Sequence, residues 1–317
     1  MADFALGTDA AGSVRMPAAL CGLVGFKASY DRVPRDGVVP LTWSLDHIGP
    51  LTRTVADAAV VTAMMAGEGA AVQQALTSSA SLASAVAAGV VGAEPMAGAA
   101  TSPPARALTV FCPENYFDPV LEPDVRAVFQ QTLAVLQSAG VLVQQGIIPE
   151  LELAPMLQYF TMAPEAAQVH DALALQHPDR IGDDVRARLE AGRFIRAVDY
   201  LKAQRLRTAL KRALTAPLQA GAQVMVTPTV LTAACRADAV VHRADRAVAV
   251  RTVLTRLTYP FNLTGMPAIS VPCGVNAAGL PVGLHIAGRC GDDATVLAVA
   301  AHIEAVLGQV RNAHLAS

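Results

Sequence analysis

Charge is scarce in this sequence. Only 16% of its 317 residues are Asp, Glu, Lys or Arg, against roughly 25% in ordinary soluble domains. The formal net charge is -2. No basic stripe stands out, which argues against a nucleic-acid binder. Aromatic residues make up 4%, with a single Trp, so a core has to be built from Ala, Val and Leu. Five cysteines, Cys21, Cys112, Cys235, Cys273 and Cys290, are scattered and form no CxxC pair. That excludes a disulfide framework and a zinc site of ordinary spacing, and fits reduced thiols in a cytoplasmic protein. Asp3 follows Met1 where a signal peptide would carry basic residues and an apolar run. The uncharged stretch Ala70 to Ala93 is rich in Ala, Ser, Gly and Thr, which insert poorly into lipid, so no membrane span is expected. GxGxxG after a strand, a Walker loop, HExxH and a GxSxG elbow are all missing. No metal and no cofactor are expected.

What is present is an apolar chain, 53% hydrophobic, with ample surface to bury against the entropy of ordering. Glycines and prolines punctuate residues 1–66. A short helix is expected over Pro17 to Leu23, and a longer one over Thr52 to Met65, capped by Thr52 or Thr54. Residues 67–105, rich in Ala, Ser and Gly, suit a variable insert or a flap. Ala107 to Cys112 reads as a strand, Pro123 to Ser138 as a helix and Val141 to Ile148 as a second strand, which implies a parallel pair. Residues 150–220 look helical, with a charged amphipathic helix over Tyr200 to Leu214. Val224 to Pro228 is a short strand. Arg243 to Leu257 has helical periodicity. Strands Ala268 to Pro272 and Val282 to Ala287 join across Asn276-Ala277-Ala278-Gly279. Asp292 to Leu307 closes the chain as a helix with an Asp cap. The alternation predicts an α/β fold, a mixed sheet flanked by helices.

Gly7-Thr8-Asp9-Ala10-Ala11-Gly12-Ser13-Val14-Arg15 is the most informative stretch. Small residues let the backbone turn tightly and leave amide N–H groups free beside the Ser13 hydroxyl. An oxyanion hole next to a nucleophile needs that arrangement, although such a run also suits an ordinary turn. Further motifs follow in order: Cys21-Gly22-Leu23-Val24-Gly25-Phe26-Lys27, Arg35-Asp36-Gly37-Val38-Val39-Pro40, Ser44-Leu45-Asp46-His47-Ile48-Gly49-Pro50 and Arg53-Thr54-Val55-Ala56-Asp57-Ala58. Tyr116-Phe117, Asp199-Tyr200, Asn262 to Pro272 and Gly279-Leu280-Pro281-Val282-Gly283 continue the series. Together these resemble the amidase signature family over most of the chain, residues 1–317 as a single domain.

That resemblance implies hydrolysis or transfer of small-molecule amides by a Ser-Ser-Lys triad, with no cofactor. By position Ser13 is the acylated nucleophile, and the amides of Ala10, Ala11, Gly12 and Ser13 form the oxyanion hole. Thr8 and Asp9 frame the turn, and Arg15 braces it through an ion pair with Asp9. Two departures stand out. Ala11-Gly12 replaces the family's Gly-Gly, which suits the turn only if position 11 needs no positive φ. The family's Lys base and cis-Ser lie upstream of the nucleophile, whereas residues 1–12 hold no Lys and no Ser. The chain therefore reads as N-terminally truncated, its sheet expected to carry an unpaired edge and exposed apolar surface. Lys27 falls in a structural stretch and is not taken as the base. The alternative reading is a non-catalytic remnant or binding module derived from an amidase. Met156, Tyr159 and Phe160 suit either a pocket wall or a helix core stripe, and a homo-oligomer is compatible with the composition.

Overall fold

The computed structural model describes residues 2–70, 107–117, 121–236, 240–243, 246–249 and 254–315. Most of the 67–105 insert lies outside the described residues. At the centre is an eight-stranded sheet in the order β1-β3-β2-β9-β10-β6-β4-β5. Its strands are β1 (Ala5–Thr8), β2 (Val24–Lys27), β3 (Ile48–Thr52), β4 (Thr109–Pro113), β5 (Leu142–Gly146), β6 (Val224–Pro228), β9 (Ala268–Val275) and β10 (Pro281–Ala287). β4 pairs parallel with β5 and β6, and every other neighbouring pair is antiparallel. The sheet is mixed and helices flank it, as the alternation of elements implies.

Local chemistry explains several elements. Helix α1 (Arg15–Cys21) ends at Gly22 in the left-handed conformation. It lies so close to the sheet that a Cβ on Gly25 would sit 2.7 Å from Ala18 Cβ and from Val14 O. Helix α2 (Val55–Met65) starts at Thr54, whose side chain accepts from Asp57 N. Thr52 instead ends β3, so the second cap candidate is the one used. Helix α3 (Glu114–Phe117) is a single turn. In α4 (Pro123–Ser138) the stripe Val125, Val128, Phe129, Leu133 and Leu136 is buried, with Pro at its first turn. Helices α5 (Ala154–Val169), α6 (Asp171–Gln176), α7 (Asp183–Arg193) and α8 (Ala197–Gln219) follow β5 and precede β6 along the chain.

Two sequence expectations need correction. Two strands, β7 (Val240–Arg243) and β8 (Arg246–Ala249), pair antiparallel where the sequence suggested the start of a helix. Val, Ala and Arg recur there with spacings that fit a period of two as well as 3.6, so periodicity over so short a run could not arbitrate. A short helix, α9 (Tyr259–Leu263), follows. The last helix, α10 (Asp293–Leu315), starts directly after Asp292, whose carbonyl accepts from Val296 N as a cap residue's does, but it runs past the expected end at Leu307. The Asp293 carboxylate is taken by Ser29, through both N and Oγ.

The β9–β10 turn is built by Asn276, whose Oδ1 accepts from Ala278 N and Leu280 N. Of the helix-stripe candidates, Met156 and Tyr159 are exposed, while Phe160 packs partly buried on the core. At one edge of the sheet Leu6 of β1 and Phe4 just before it are about half exposed each.

Candidate active site

The site grows from the junction of β1 and α1. Asp9 continues the β1–β3 pairing, its N donating to His47 O at 2.8 Å and its O accepting from His47 N at 3.1 Å. The chain then reverses through Ala10, Ala11 and Gly12 into α1. Gly12 has φ +123°, and a Cβ there would lie 2.1 Å from Thr258 Oγ1. Glycine is required at that position on both counts. Ala11 does not adopt positive φ, since Asp31 is the one described non-glycine residue that does. Alanine in place of the family's first glycine therefore costs the turn nothing in backbone strain.

Asp9 organises this turn from inside. Its Oδ1 accepts from Gly12 N at 2.8 Å and its Oδ2 from Val14 N at 3.2 Å. Arg15 grips the same carboxylate with Nη2 at 2.9 Å and Nε at 3.1 Å. The remaining Arg15 donors reach Thr258 O at 2.9 Å, His285 Nε2 at 3.0 Å and Asn262 Oδ1 at 2.6 Å. All five guanidinium N–H groups are thus used, and both ion-pair partners are fully buried. Asn262 Nδ2 closes the cluster on Asp9 O and Oδ1. Burial pushes the Asp9 carboxyl up, but the Arg15 charge and the hydrogen bonds from Arg15 and Asn262 outweigh it and hold the group well below the usual carboxylate range.

The structure changes the donor set read from sequence. Gly12 N–H is committed to Asp9 and is not an open donor. The N–H groups of Ala10, Ala11 and Ser13 have no partner among the described residues. Ser13 itself is exposed, whereas Asp9, Ala10, Gly12, Val14 and Arg15 around it are buried. Thr8 is exposed at the end of β1 and lines a cleft of about 520 Å3 with His47, Asp46 and Trp43. A separate cleft of about 700 Å3, between Tyr30, Arg32, Trp43, Arg207 and Lys211, does not reach Ser13.

Sequence reasoning missed the residues that brace the turn from afar. Gln158 Nε2 donates to Ala10 O at 3.3 Å and Thr258 Oγ1 to Ala11 O at 2.6 Å. Both come from segments about 150 and 250 residues away, so no local pattern could have flagged them. Lys27 is buried behind the turn, donating to Met266 O at 2.6 Å, Ala28 O at 3.1 Å and His47 Nε2 at 3.2 Å. Burial and the nearby Arg15 charge, opposed by Asp9 and Asp293, push its ammonium down to about 7.

The two histidines of the cluster are neutral by geometry. His47 Nδ1 faces Leu45 O at 2.7 Å, so Nδ1 carries the proton and Nε2 accepts from Lys27. His285 Nε2 accepts from Arg15, which assigns its proton to Nδ1, and Nδ1 has no partner among the described residues. Burial, reinforced at His47 by Lys27 and at His285 by Arg15, lowers both well below 6.5. Unfolding lets each take up a proton near its ordinary pKa, which the folded state refuses. The histidines' share of stability is therefore whole above pH 6.5 and falls below it, by up to about 1.4 kcal/mol per pH unit for each histidine. Urea titrations across that range should show the loss, and His285→Gln should remove one proton's worth of the slope.

No group of three His, Cys, Asp or Glu side chains among the described residues could hold a metal ion. No described helix is long and apolar enough to cross a membrane.

Comparison with known proteins matches this architecture to one family. The family model described as Amidase covers residues 1–297. An amidase from Pseudomonas putida is 34% identical over 297 residues, covering 92% of this chain and 60% of that protein. A glutamyl-tRNA(Gln) amidotransferase chain from Moorella thermoacetica is 33% identical over 324 residues, covering 94% of this chain and 62% of that protein. A crystal structure of an amidase superposes with a TM-score of 0.79 at 31% identity, over 95% of this chain and 62% of the other. The chain thus spans about three fifths of the length of these relatives. Both the sequence motifs and the fold lead to the same assignment: this chain belongs to the amidase family.

Proposed function

We propose that this chain carries the acyl-transfer part of an amide hydrolase, with Ser13 as nucleophile. Ser13 Oγ attacks the carbonyl carbon of a small-molecule amide, and the carbonyl oxygen becomes an oxyanion. The N–H groups of Ala10, Ala11 and Ser13 receive it. Collapse breaks the C–N bond, the amine leaves with a proton, and an ester on Ser13 remains. Water then attacks the ester, releasing the carboxylate and returning a proton to Ser13. Asp9 and Arg15 do not touch the substrate in this scheme; they hold the turn that presents the donors.

One observation carries the reading: an exposed serine stands beside three amide donors that have no partner among the described residues, on a turn whose Gly12 and Val14 amides and whose carbonyls from Asp9 to Gly12 are hydrogen-bonded. Fixed donors of this kind stabilise developing charge far better than water does, because they need no reorganisation. A serine hydroxyl at neutral pH still needs a base. The Lys27 Nζ is occupied by two carbonyls and His47 and is not given that role. In the family pattern the base is a lysine upstream of the nucleophile, which residues 1–12 lack. The 317-residue chain on its own is therefore expected to acylate slowly and to respond to a small amine supplied as external base. Labelling with a fluorophosphonate probe, with and without methylamine and followed by peptide mapping, tests this. Selective adduct formation at Ser13 that rises with amine supports it, and failure of a folded sample to label at Ser13 contradicts it.

A further inference from the structure

Each peptide of the turn has its carbonyl anchored on the side away from the open donors. In a trans peptide the C=O and the following N–H point in opposite directions, so a partner that fixes one aims the other. Asp9 O is held by His47 N and Asn262 Nδ2, which aims the Ala10 N–H. Gly12 O is held by Met16 N in the first turn of α1, which aims the Ser13 N–H. Ala11 O is held by Thr258 Oγ1, and the Gly12 N–H on the other side of that peptide goes to Asp9. The Ala10–Ala11 peptide is held differently. Its carbonyl has one donor among the described residues, the side-chain amide of Gln158 on α5.

We propose that Gln158 is a positioning residue that orients the Ala10–Ala11 peptide and so aims the Ala11 N–H into the oxyanion hole. The proposal rests on the reading of Ser13 and its turn given above. Gln158 is 7% exposed and its Oε1 has no partner among the described residues. An apolar side chain of the same size would fill the space without leaving that acceptor unsatisfied. What glutamine adds is the donor. The assignment of Nε2 to the Ala10 side follows from chemistry, since a carbonyl can only accept. Without the donor, Ala10 O is a buried acceptor with nothing to bind. The available remedy is rotation of the peptide, which turns the carbonyl toward the open side where Ser13 meets water. That rotation withdraws the Ala11 N–H and puts a carbonyl oxygen where the oxyanion should sit.

The test pairs crystallography with labelling. Gln158→Met keeps the volume and removes the donor, while Gln158→Glu donates only when its carboxyl is protonated. In Gln158→Met the Ala10–Ala11 peptide is expected to rotate. Amine-assisted fluorophosphonate labelling of Ser13 should fall about 10²-fold in its limiting rate, with the probe's half-saturation concentration unchanged. Gln158→Glu should recover labelling, relative to the pH trend of the wild type, as pH falls through the pKa of its carboxyl. A merely structural role gives no such pH-dependent recovery. An unmoved peptide in both variants, or labelling of Gln158→Met within about twofold of wild type, overturns the proposal. Should wild type itself not label, the Ser13 reading fails, and the peptide orientation in the variant crystals still decides the role of Gln158. Melting temperatures of both variants separate misfolding from misorientation.

Discussion

Gly12→Ala should abolish Ser13 reactivity and destabilise the fold together. A methyl at position 12 meets two independent obstacles. The φ of +123° is one that L side chains rarely adopt, and strain of that kind costs about 1–3 kcal/mol. The added Cβ would also lie 2.1 Å from Thr258 Oγ1 and 2.6 Å from Thr258 Cβ, an overpacking penalty of about 1–3 kcal/mol. The turn cannot yield outward, because Asp9, Thr258 and Met16 hold it at three successive points. Relaxation must move the amides of Ala11 and Ser13 instead. Loss of one oxyanion donor alone costs about 10²–10³ in rate, so labelling should drop at least that far. Thr258→Ala removes the nearest clashing atom but leaves the φ and the 2.6 Å contact. The double variant should therefore regain part of the stability and none of the reactivity. Denaturant midpoints and labelling rates on the same preparations separate the two effects.

Removing Arg15 should produce the largest stability loss of any single change in the cluster. Arg15→Met leaves the Asp9 carboxylate buried without its counter-charge and leaves Thr258 O, His285 Nε2 and Asn262 Oδ1 each short of a donor. Breaking one side of a buried pair costs about 3–5 kcal/mol. Asp9→Asn in the same background should cost less than the two single losses summed, because the charge that needed pairing is gone. The pH dependence carries a sharper signature. In wild type the Asp9 pKa is held below its unfolded value, so its contribution to stability is present above the unfolded pKa, near 3.9, and lost as pH falls toward the folded one. In Arg15→Met the strongest interactions opposing burial are gone, so the folded pKa moves up, with the Asn262 hydrogen bond and the Lys27 charge still acting against burial. The Asp9 contribution to stability above the unfolded pKa shrinks accordingly. The loss of stability on acidification that is attributable to Asp9 should be smaller in Arg15→Met than in wild type, as measured by urea unfolding in mildly acidic buffers.

Short-range chemistry made much of the fold legible. Val224 to Pro228 is a strand with the bounds its apolar run and Pro stop suggest, and α4 runs from Pro123 to Ser138 as its stripe requires. The Asn276–Gly279 turn and the parallel β4–β5 pair follow from the same kind of signal. Strands β7 and β8 were not legible, because a few alternating Val, Ala and Arg residues satisfy two periods at once. The site divides along a similar line. The segment from Thr8 to Arg15 drew attention through small residues beside a serine and through family resemblance. Commitment of the Gly12 amide to Asp9 depends on the exact path of the turn, and no composition reveals that. Gln158, Thr258 and His285 reach the turn across about 150 to 270 residues, a distance at which only the folded chain defines neighbours. Asn262 stood in a recognised motif, yet its role as a clamp on Asp9 became definable only with its Nδ2 located.

The most direct measurement is the rate and site of fluorophosphonate labelling of the purified chain across alkaline pH, with and without methylamine. A single adduct on Ser13, accelerated by the amine and absent from Ser13→Ala, is the expected outcome. A folded protein that fails to label at Ser13 under every condition, or labels without preference across its serines, would contradict the assignment of this turn as an oxyanion hole with Ser13 as nucleophile.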